Sequence, residues 1–542
     1  MIDLITKKIK HFLSLKIVTL VILFIIISAR IIQLIFLFNV RSDRLYQMMA
    51  TQSLVTGHGI SIAQVIPANL SEIIYEPLIK WPPSYSLFYG LFYSLFNQNY
   101  IISGICLDIL FSLFLIFISR SILKNLSIRT YLINIYTLFT GVIIYSFYIK
   151  PSSDAIAITL FLFAIHLSLL LFKTDKHPGL KLSGIIISLL FCATTKYLYM
   201  PVVFIIPIFF IIKGLANKDM RLKRAGYISL LVITGILGAL LLYQKAISGS
   251  AVYITEPTRG FYPENLYSQY PVIPASFINP ETIDLIFYKI EKTAPSIYYI
   301  YQWVNLIIAF FIVIYGIITI YKKGFRQLTL ASIFFFLTFF ISVAILILLL
   351  LLSITVAKEK DVWTYVEEAR YYGLITVLLQ LSIFIFLKYQ YKNLGKYLIY
   401  GFCFTLLLML PDMFRGIIFS ANRILKYKKE EASWQVELKF QQYAEDIILR
   451  EKNINGTKNA VIAGSSLYIN KRISLYSHIP MMTEVLKIND LSSLNTKTSV
   501  LLLIVLRDDA LQAFQPFLLL KEKKEQGQFN GFHFYTTYVT PH

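Results

Sequence analysis

Charged residues are scarce in this sequence, and acidic residues are the scarcer kind. Only 15% of the 542 residues are charged, whereas 57% are hydrophobic and the mean hydropathy is +0.65. A soluble globular protein has about 25% charged and about 45–50% apolar residues. The composition therefore excludes an ordinary water-soluble enzyme and a disordered chain, and it predicts a polytopic membrane protein.

Cysteine is also rare. The three cysteines, Cys106, Cys192 and Cys403, all lie inside apolar runs, so the sequence offers neither a disulfide framework nor a thiolate metal site. No histidine cluster has the spacing of metal ligands. We therefore expect no catalytic metal and no cofactor.

The formal net charge is +21, but the basic residues lie in short patches between apolar runs. A nucleic-acid-binding protein would gather them on one soluble face, so nucleic acid is not an expected partner.

Long apolar runs are the dominant feature. A membrane-spanning helix needs about 20 mainly apolar residues, and this criterion predicts about eleven spans. The second region is long enough for an interfacial helix followed by a true span, and the fifth and sixth are short. The predicted spans are 17–38, 85–118, 131–149, 152–172, 182–195, 198–212, 226–243, 297–320, 328–356, 371–387 and 397–419.

The distribution of Lys and Arg predicts the orientation. Every second connection is basic, beginning with the segment before the first span, and basic loops are cytoplasmic by the positive-inside rule. The N-terminus is therefore predicted in the cytoplasm and, with an odd number of spans, the C-terminus outside. The first apolar run is too long for a signal peptide. The long outer loops are predicted at 39–84, 244–296 and 357–370.

Hydropathy falls after Phe419, which divides the chain into a transmembrane domain, 1–421, and a soluble domain, 422–542. The latter contains a polar helical stretch at 434–450 and apolar strand-like runs at 459–463, 499–506 and 531–539. The predicted fold is all-α and polytopic, with a small extracytoplasmic α/β domain at the C-terminus.

The first outer loop, 39–84, concentrates the chemistry. Asp43 lies just beyond the first span, where a carboxylate stays ionised and can act as a general base. Arg44 and Lys80 are cations suited to phosphate oxygens, and Glu76 is a second carboxylate candidate. The alternative is a solvated membrane boundary with no catalytic role.

These residues resemble the type C glycosyltransferase (GT-C) superfamily, with protein O-mannosyltransferases and aminoarabinose transferases of lipid A as the nearest branches. The resemblance covers about residues 17–419 and rests on the joint order of weak motifs. In place of the Asp-Glu of many members, this chain has Asp43-Arg44, which puts a paired-acid or metal-bridging role in doubt. The motifs are Arg30, Asp43 to Tyr46, Gly57-x-Gly59, Pro82-Pro83-x-Tyr85, Pro151-Ser152-Ser153-Asp154-Ala155, Thr195-Lys196-Tyr197 and Ala369-Arg370-Tyr371-Tyr372.

The resemblance implies transfer of a sugar from a polyprenyl-phosphate donor to a lipid, glycan or protein acceptor at the outer face. The Ile-, Lys- and Asn-rich composition, with the family branch, favours a bacterial inner membrane; the alternative is the endoplasmic reticulum. Asp43 would be the base. Arg44, Lys80, Lys196 and Arg370 would bind the donor phosphate. Tyr46, Asp154 and Glu76 would orient substrate, although Asp154 could instead hold one of the cations or cap its helix with Ser152 and Ser153.

Two other classes of function remain open. A flippase or transporter of a lipid-linked sugar would share the spans and the phosphate contacts, but it should show inverted repeats and broken helices, and no clear repeat is present. A non-enzymatic subunit of polysaccharide assembly would not need Asp43. Inside the second span, Asp108 is expected to have a structural partner such as Arg30.

Overall fold

The computed structural model describes residues 10–36, 42–143, 153–174, 176–250, 328–355, 369–389, 433–455, 459–465, 494–508, 524–529 and 531–541, with a few short pieces between them. The predicted spans at 297–320 and 397–419 lie outside these residues, as do Cys403 and Ser152. The chain forms two compact units. The first comprises Met1–Leu34 and Asp108–Arg423, and the second comprises Ile35–Leu107 and Ile424–His542.

Helices account for most of the described residues. Several follow the predicted spans closely, because each is a local apolar run between polar or basic residues. The region predicted at 85–118 is two helices, divided at Asn97 and Gln98, which both have positive φ angles. The helices are α1 (Lys16–Phe36), α2 (Ser42–Val55), α3 (Ser84–Leu95), α4 (Tyr100–Asn125), α5 (Thr130–Ile143), α6 (Ser153–Lys173), α7 (Pro178–Ala193), α8 (Ile205–Asn217), α9 (Met220–Ser248), α10 (Leu330–Ile354), α11 (Gly373–Tyr389) and α12 (Ser433–Asn455).

Within the described part of the chain, six helical segments are long and apolar enough to cross a membrane. The chain is thus an integral membrane protein, while the predicted number of eleven spans is not confirmed. Two further apolar helices are shorter than a full span. The six segments are Lys16–Ile35, Tyr100–Asn125, Ser153–Lys173, Tyr197–Asn217, Met220–Ser248 and Leu330–Ile354.

Short 3₁₀ turns precede two helices of the first unit. Tyr197–Tyr199 and Val202–Phe204 lead into α8, and Ala369–Tyr372 leads into α11. Within this unit α6 packs on α7 and α10, and α8 packs on α9. The motif residues Asp154, Lys196 and Arg370 therefore all lie at or next to the start of a helical segment.

Arg30 is buried in α1 and contacts the stretch of α4 that contains Asp108. Its Nε donates to Ser112 Oγ at 3.3 Å, and its Nη1 donates to Gln33 Oε1 at 2.8 Å. Ser112 lies one helical turn beyond Asp108, which is also buried. The contact ties α1 to α4, and the predicted pairing of Arg30 with Asp108 itself stays a prediction.

The second unit contains a mixed seven-stranded sheet, with the order β2-β1-β4-β3-β5-β7-β6. The strands β3, β5 and β7 match the predicted apolar runs, and α12 matches the predicted polar helix. The sequence did not predict β1 and β2, which come from the first outer loop. The strands are β1 (Ser61–Ile66), β2 (Asn69–Pro77), β3 (Asn459–Gly464), β4 (Met481–Met482), β5 (Val500–Arg507), β6 (Lys524–Phe529) and β7 (Phe532–Val539).

The segment predicted as the first outer loop, 39–84, thus contributes two strands to the sheet that the C-terminal residues form. Strand β1 pairs in parallel with β4, where Val65 is the partner of Met482. Val65 and Leu70 share one hydrophobic core with Leu502 and Ile504 of β5. The domain boundary predicted at 421/422 stays a prediction, but the sheet includes two strands that precede it by more than 300 residues.

A buried carboxylate fastens α12 to the far edge of this sheet. Glu451 Oε1 accepts hydrogen bonds from Lys524 Nζ and Gln526 Nε2, each at 2.8 Å. The Tyr538 hydroxyl donates to the Glu451 carbonyl oxygen at 3.0 Å. Burial acts to raise the pKa of Glu451, but the hydrogen bonds from Lys524 and Gln526 and the charges of Lys524 and Arg450 together hold that pKa below its ordinary value.

Candidate active site

Asp154 and Lys196 form an ion pair inside the helical unit. Asp154 lies in the first turn of α6, where the helix dipole favours a carboxylate, and it is only 2% exposed. Lys196 has an extended backbone between the end of α7 and the turn Tyr197–Tyr199. Its Nζ contacts Asp154 Oδ1. The structure therefore gives Asp154 a cation to hold, one of the three roles expected for it.

The ring of Tyr371 contacts two cations. Lys196 Nζ lies 4.5 Å from the ring centroid, and Arg370 Cζ lies 5.0 Å from it. Arg370 Nη2 also donates to the Tyr371 hydroxyl at 3.1 Å. Cations over an aromatic face gain about 0.5–2 kcal/mol each. Three predicted site residues are thus brought together around one tyrosine, to which the sequence had given no role of its own.

Gln244 of α9 contacts Tyr197, the residue that follows Lys196 in the sequence. Its Nε2 donates to the Tyr197 hydroxyl at 2.9 Å, and its side chain is buried. Its Oε1 is buried and accepts no hydrogen bond from the part of the chain that the structure describes. The sequence signal for this residue was weak, namely one amide at the polar end of the apolar run of α9.

Cations outnumber anions among the charged side chains that the structure describes in this cluster. Lys196 and Arg370 contribute two cations and Asp154 one anion, so the formal sum is +1. A low-dielectric surrounding strengthens the attraction of such a group for an anion. The cluster of Asp154, Lys196, Arg370 and Tyr371, called here the cation cluster, is chemically suited to a phosphate group.

Asp43 lies in the first turn of α2 in the second unit and is partly exposed. Tyr46 lies three residues further on, so both side chains share one side of α2. The Tyr46 ring stacks on Trp81, with centroids 4.7 Å apart, and Lys80 Nζ lies 5.1 Å from the Trp81 ring. This stack brings Lys80 to the side of α2 that carries Asp43.

Arg44 faces the interior of its unit. It is 4% exposed, its guanidinium carbon lies 4.5 Å from the Phe38 ring centroid, and Nη2 donates to the Gly104 carbonyl oxygen at 3.3 Å. A Cβ at Gly104 would lie 2.7 Å from Phe38 and 2.8 Å from Arg44 Nη2, so glycine allows this close approach. The structure thus shows a packing role for Arg44, and its predicted phosphate contact stays a prediction.

Glu76 lies exposed on β2, where its backbone is the register partner of Ile62. The preceding residue, Tyr75, stacks face to face on His58 with centroids 3.8 Å apart. Nothing in these contacts distinguishes Glu76 as a base. Among the described residues, no three His, Cys, Asp or Glu side chains are grouped so that they could hold a metal ion.

The chain has the GT-C fold, as the sequence motifs predicted. It is similar to the crystal structure of ArnT from Cupriavidus metallidurans bound to undecaprenyl phosphate, with a TM-score of 0.53, 11% identity, and 94% of this chain and 97% of that chain covered. ArnT is an aminoarabinose lipid A transferase of the GT-C type. At this identity the likeness concerns the fold.

Two other solved structures are more distantly similar. Apo ArnT from Cupriavidus metallidurans has a TM-score of 0.47, 12% identity and coverages of 91% and 92%. The Archaeoglobus fulgidus oligosaccharyltransferase in complex with zinc and sulfate has a TM-score of 0.49, 12% identity, and 90% of this chain and 68% of that chain covered. No protein-family model matches the sequence, and a search of curated proteins finds no match.

Proposed function

We propose that this protein is a membrane glycosyltransferase that takes its sugar from a polyprenyl-phosphate donor. The observation that carries the proposal is the cation cluster, in which Lys196 and Arg370 contact one tyrosine ring beside Asp154. A phosphate leaving group gains most from cations placed where its negative charge develops. The fold shared with ArnT, whose crystal structure holds undecaprenyl phosphate, supports the same donor class.

In the proposed reaction, the acceptor hydroxyl or amine gives its proton to the Asp43 carboxylate. The acceptor atom then attacks the anomeric carbon of the sugar. The bond from that carbon to the phosphate oxygen breaks, and its electron pair stays on the phosphate. General-base catalysis of this kind contributes about 10²–10⁴-fold.

Lys196 and Arg370 stabilise the phosphate that leaves, and Lys80 adds a cation from the first outer loop. Asp154 is a positioning residue that fixes the Lys196 ammonium. Tyr46 holds Lys80 through Trp81, and with Glu76 it orients substrate. Arg44, whose guanidinium packs on Phe38, is proposed as a further cation for the donor phosphate.

The membrane location, the orientation and the acceptor of the sugar are also proposed. We place the enzyme in a bacterial inner membrane with its N-terminus in the cytoplasm and its C-terminal sheet outside, as the basic connections indicate. The acceptor is a lipid, a glycan or a protein. A flippase or an assembly subunit is the competing class, and neither would cleave the donor.

The test is sugar release by purified protein. The enzyme is incubated with a panel of polyprenyl-phosphate sugars, and free polyprenyl phosphate is measured. We expect release with one donor and loss of release in Lys196→Met. Lys173→Met, at the opposite end of α6 from Asp154 and exposed, is the matched control. With the same protein in liposomes, intact donor that crosses the bilayer without cleavage would establish transport instead.

A further inference from the structure

A second polar site lies at the other end of the helical unit. A partly open cavity of about 220 Å³ is lined by the ends of α6, α8, α9 and α10. Its residues on α6 include Phe172, whereas Asp154 is eighteen positions earlier in the same helix. At 1.5 Å of rise per residue, the two positions are about 27 Å apart. The cavity is therefore separate from the cation cluster.

The lining of the cavity is mainly polar. Lys213 and Asn217 of α8 and Arg221 of α9 contribute polar side chains, and Phe172 and Ile333 are among the apolar residues that also line it. Lys213 is only 3% exposed. Such a lining suits a molecule whose anionic group and apolar body are adjacent.

One carboxylate also lines the cavity, and its hydrogen bonds account for its position. Asp219 caps α9 by accepting from the backbone N–H groups of Arg221 and Leu222. Its second oxygen lies 3.3 Å from Arg221 Nη2 and so holds the guanidinium in place. Among the residues that line the cavity, two cations, Lys213 and Arg221, outnumber the one carboxylate, Asp219, and this lining favours an anionic ligand.

The frame of the cavity is preformed. A Cβ at Gly214 would lie 2.6 Å from the backbone nitrogen of Lys223, and a Cβ at Gly226 would lie 2.8 Å from the Pro207 carbonyl oxygen. Both glycines thus let α8 and α9 pack closely. A cavity between tightly packed helices is ordered before the ligand arrives, which lowers the entropic cost of binding.

Size and location indicate the ligand. Sites for drug-sized ligands have volumes of about 300–1,000 Å³. This cavity is smaller, so it suits a headgroup rather than a whole lipid. It lies at the basic connection between α8 and α9, which the positive-inside pattern predicts to be cytoplasmic. Anionic lipids are enriched there, and basic pockets between membrane helices bind their headgroups.

We propose that this cavity binds the phosphate group of an anionic phospholipid from the cytoplasmic leaflet, with Lys213 and Arg221 as the phosphate contacts and Phe172 and Ile333 beside the glycerol backbone. The proposal is independent of the transferase function. It assigns the cavity a lipid that stays bound, and no chemical step.

The experiment titrates the full-length protein, in a neutral detergent, with dioleoyl-phosphatidylglycerol and counts bound lipid by native mass spectrometry. Dioleoyl-phosphatidylcholine is the zwitterionic comparison. Lys213→Met and Arg221→Gln each remove one charge, and Arg224→Gln removes an exposed charge from the same connection outside the cavity. We expect phosphatidylglycerol affinity to fall at least about tenfold in each of the first two, as a lost charge-assisted contact predicts, and to change less than twofold in the third.

Three outcomes would overturn the proposal. Unchanged affinity in both cavity variants would show that the lipid does not bind in the cavity. Equal losses in all three variants would show that binding depends only on general surface charge. Displacement of the lipid by inorganic phosphate at similar concentrations would assign the cavity to a free phosphate compound. Because Arg221→Gln leaves the buried Lys213 and the Asp219 cap intact, the test does not depend on the folding of Lys213→Met.

Discussion

The ammonium of Lys196 contacts the carboxylate of Asp154 from 42 positions away in the sequence. Both side chains are largely buried, at 15% and 3% exposure. Removal of one partner from a buried ion pair typically costs about 3–5 kcal/mol, whereas replacement of both by apolar residues is often neutral. This difference separates the structural role of the pair from its proposed role in catalysis.

We therefore expect Asp154→Leu alone to destabilise the protein, and the double variant Asp154→Leu with Lys196→Met to recover most of that stability. Sugar transfer should stay at least about tenfold low in the double variant, because the phosphate has lost its contact with the Lys196 ammonium. Thermal unfolding and donor cleavage, measured on the same preparations, give the two readouts. Transfer that returns together with stability would show that the pair is purely structural.

Arg370 and Tyr371 offer a finer test of phosphate binding. Arg370→Lys keeps the charge but loses the planar fork that matches a phosphate, so the KM for the donor should rise about tenfold. Tyr371→Phe keeps the ring under both cations and loses only the hydroxyl that accepts from Arg370 at 3.1 Å, so a change below about threefold is expected. A larger effect of Tyr371→Phe than of Arg370→Lys would instead assign the hydroxyl to substrate binding.

Asp43→Asn tests the proposed base. Asparagine is nearly isosteric but is not a base, so turnover should fall at least about a hundredfold while the donor KM changes little. Glu72→Gln is the control, since Glu72 is an exposed carboxylate in the same loop. Near-normal turnover in a well-folded Asp43→Asn protein would move the base to Glu76 or another carboxylate.

The shared sheet predicts coupling between distant parts of the sequence. Leu502→Ala in β5 removes a fully buried side chain from the core that Val65 also enters, which typically costs about 2–5 kcal/mol. We expect faster amide hydrogen exchange in β1 as well as in β5. Leu449→Ala on the exposed side of α12 should change neither. Unaltered exchange in β1 would show that the hairpin of β1 and β2 is stable on its own.

The elements that the sequence predicted are those whose pattern lies within a short stretch of adjacent residues. The spans α6 and α10 were predicted to within two residues at both ends because an apolar run is a property of adjacent residues. Strand β5 was predicted for the same reason. Strand β1 was not, because its partner β4 lies about 400 residues away and its alternation is short.

In the candidate site, too, local motifs were predicted and long-range contacts were not. Asp154, Lys196 and Arg370 were selected from motifs, but no spacing rule indicated that Tyr371 would contact two of these cations. Arg44 was selected as a phosphate ligand on charge alone. Its burial against Phe38 and Gly104 depends on how α2 packs against α4, which the sequence pattern did not specify.

The contacts of Glu451 make the packing of α12 on β6 sensitive to acid. The pKa of Glu451 is held below its ordinary value of 4.5 in the folded state. A depressed folded pKa contributes stability that is fully present above the unfolded value and is lost as the pH falls through the folded value. The contacts of α12 with β6 should therefore hold at neutral pH and weaken progressively below about pH 4.5.

Hydrogen exchange in 524–529 at pH 7 and at pH 4, corrected for the intrinsic pH dependence of exchange, measures this loss. Glu451→Gln removes the carboxylate, although its amide oxygen can still accept from Lys524 and Gln526. In this variant the protection of residues 524–529 against exchange should be lower at pH 7 and nearly independent of pH. Glu445→Gln, a carboxylate on the same helix, is the matched control and should retain the wild-type profile. A wild-type profile in Glu451→Gln would assign the acid sensitivity of this edge to another group, with Asp508 beside His533 as the next to test.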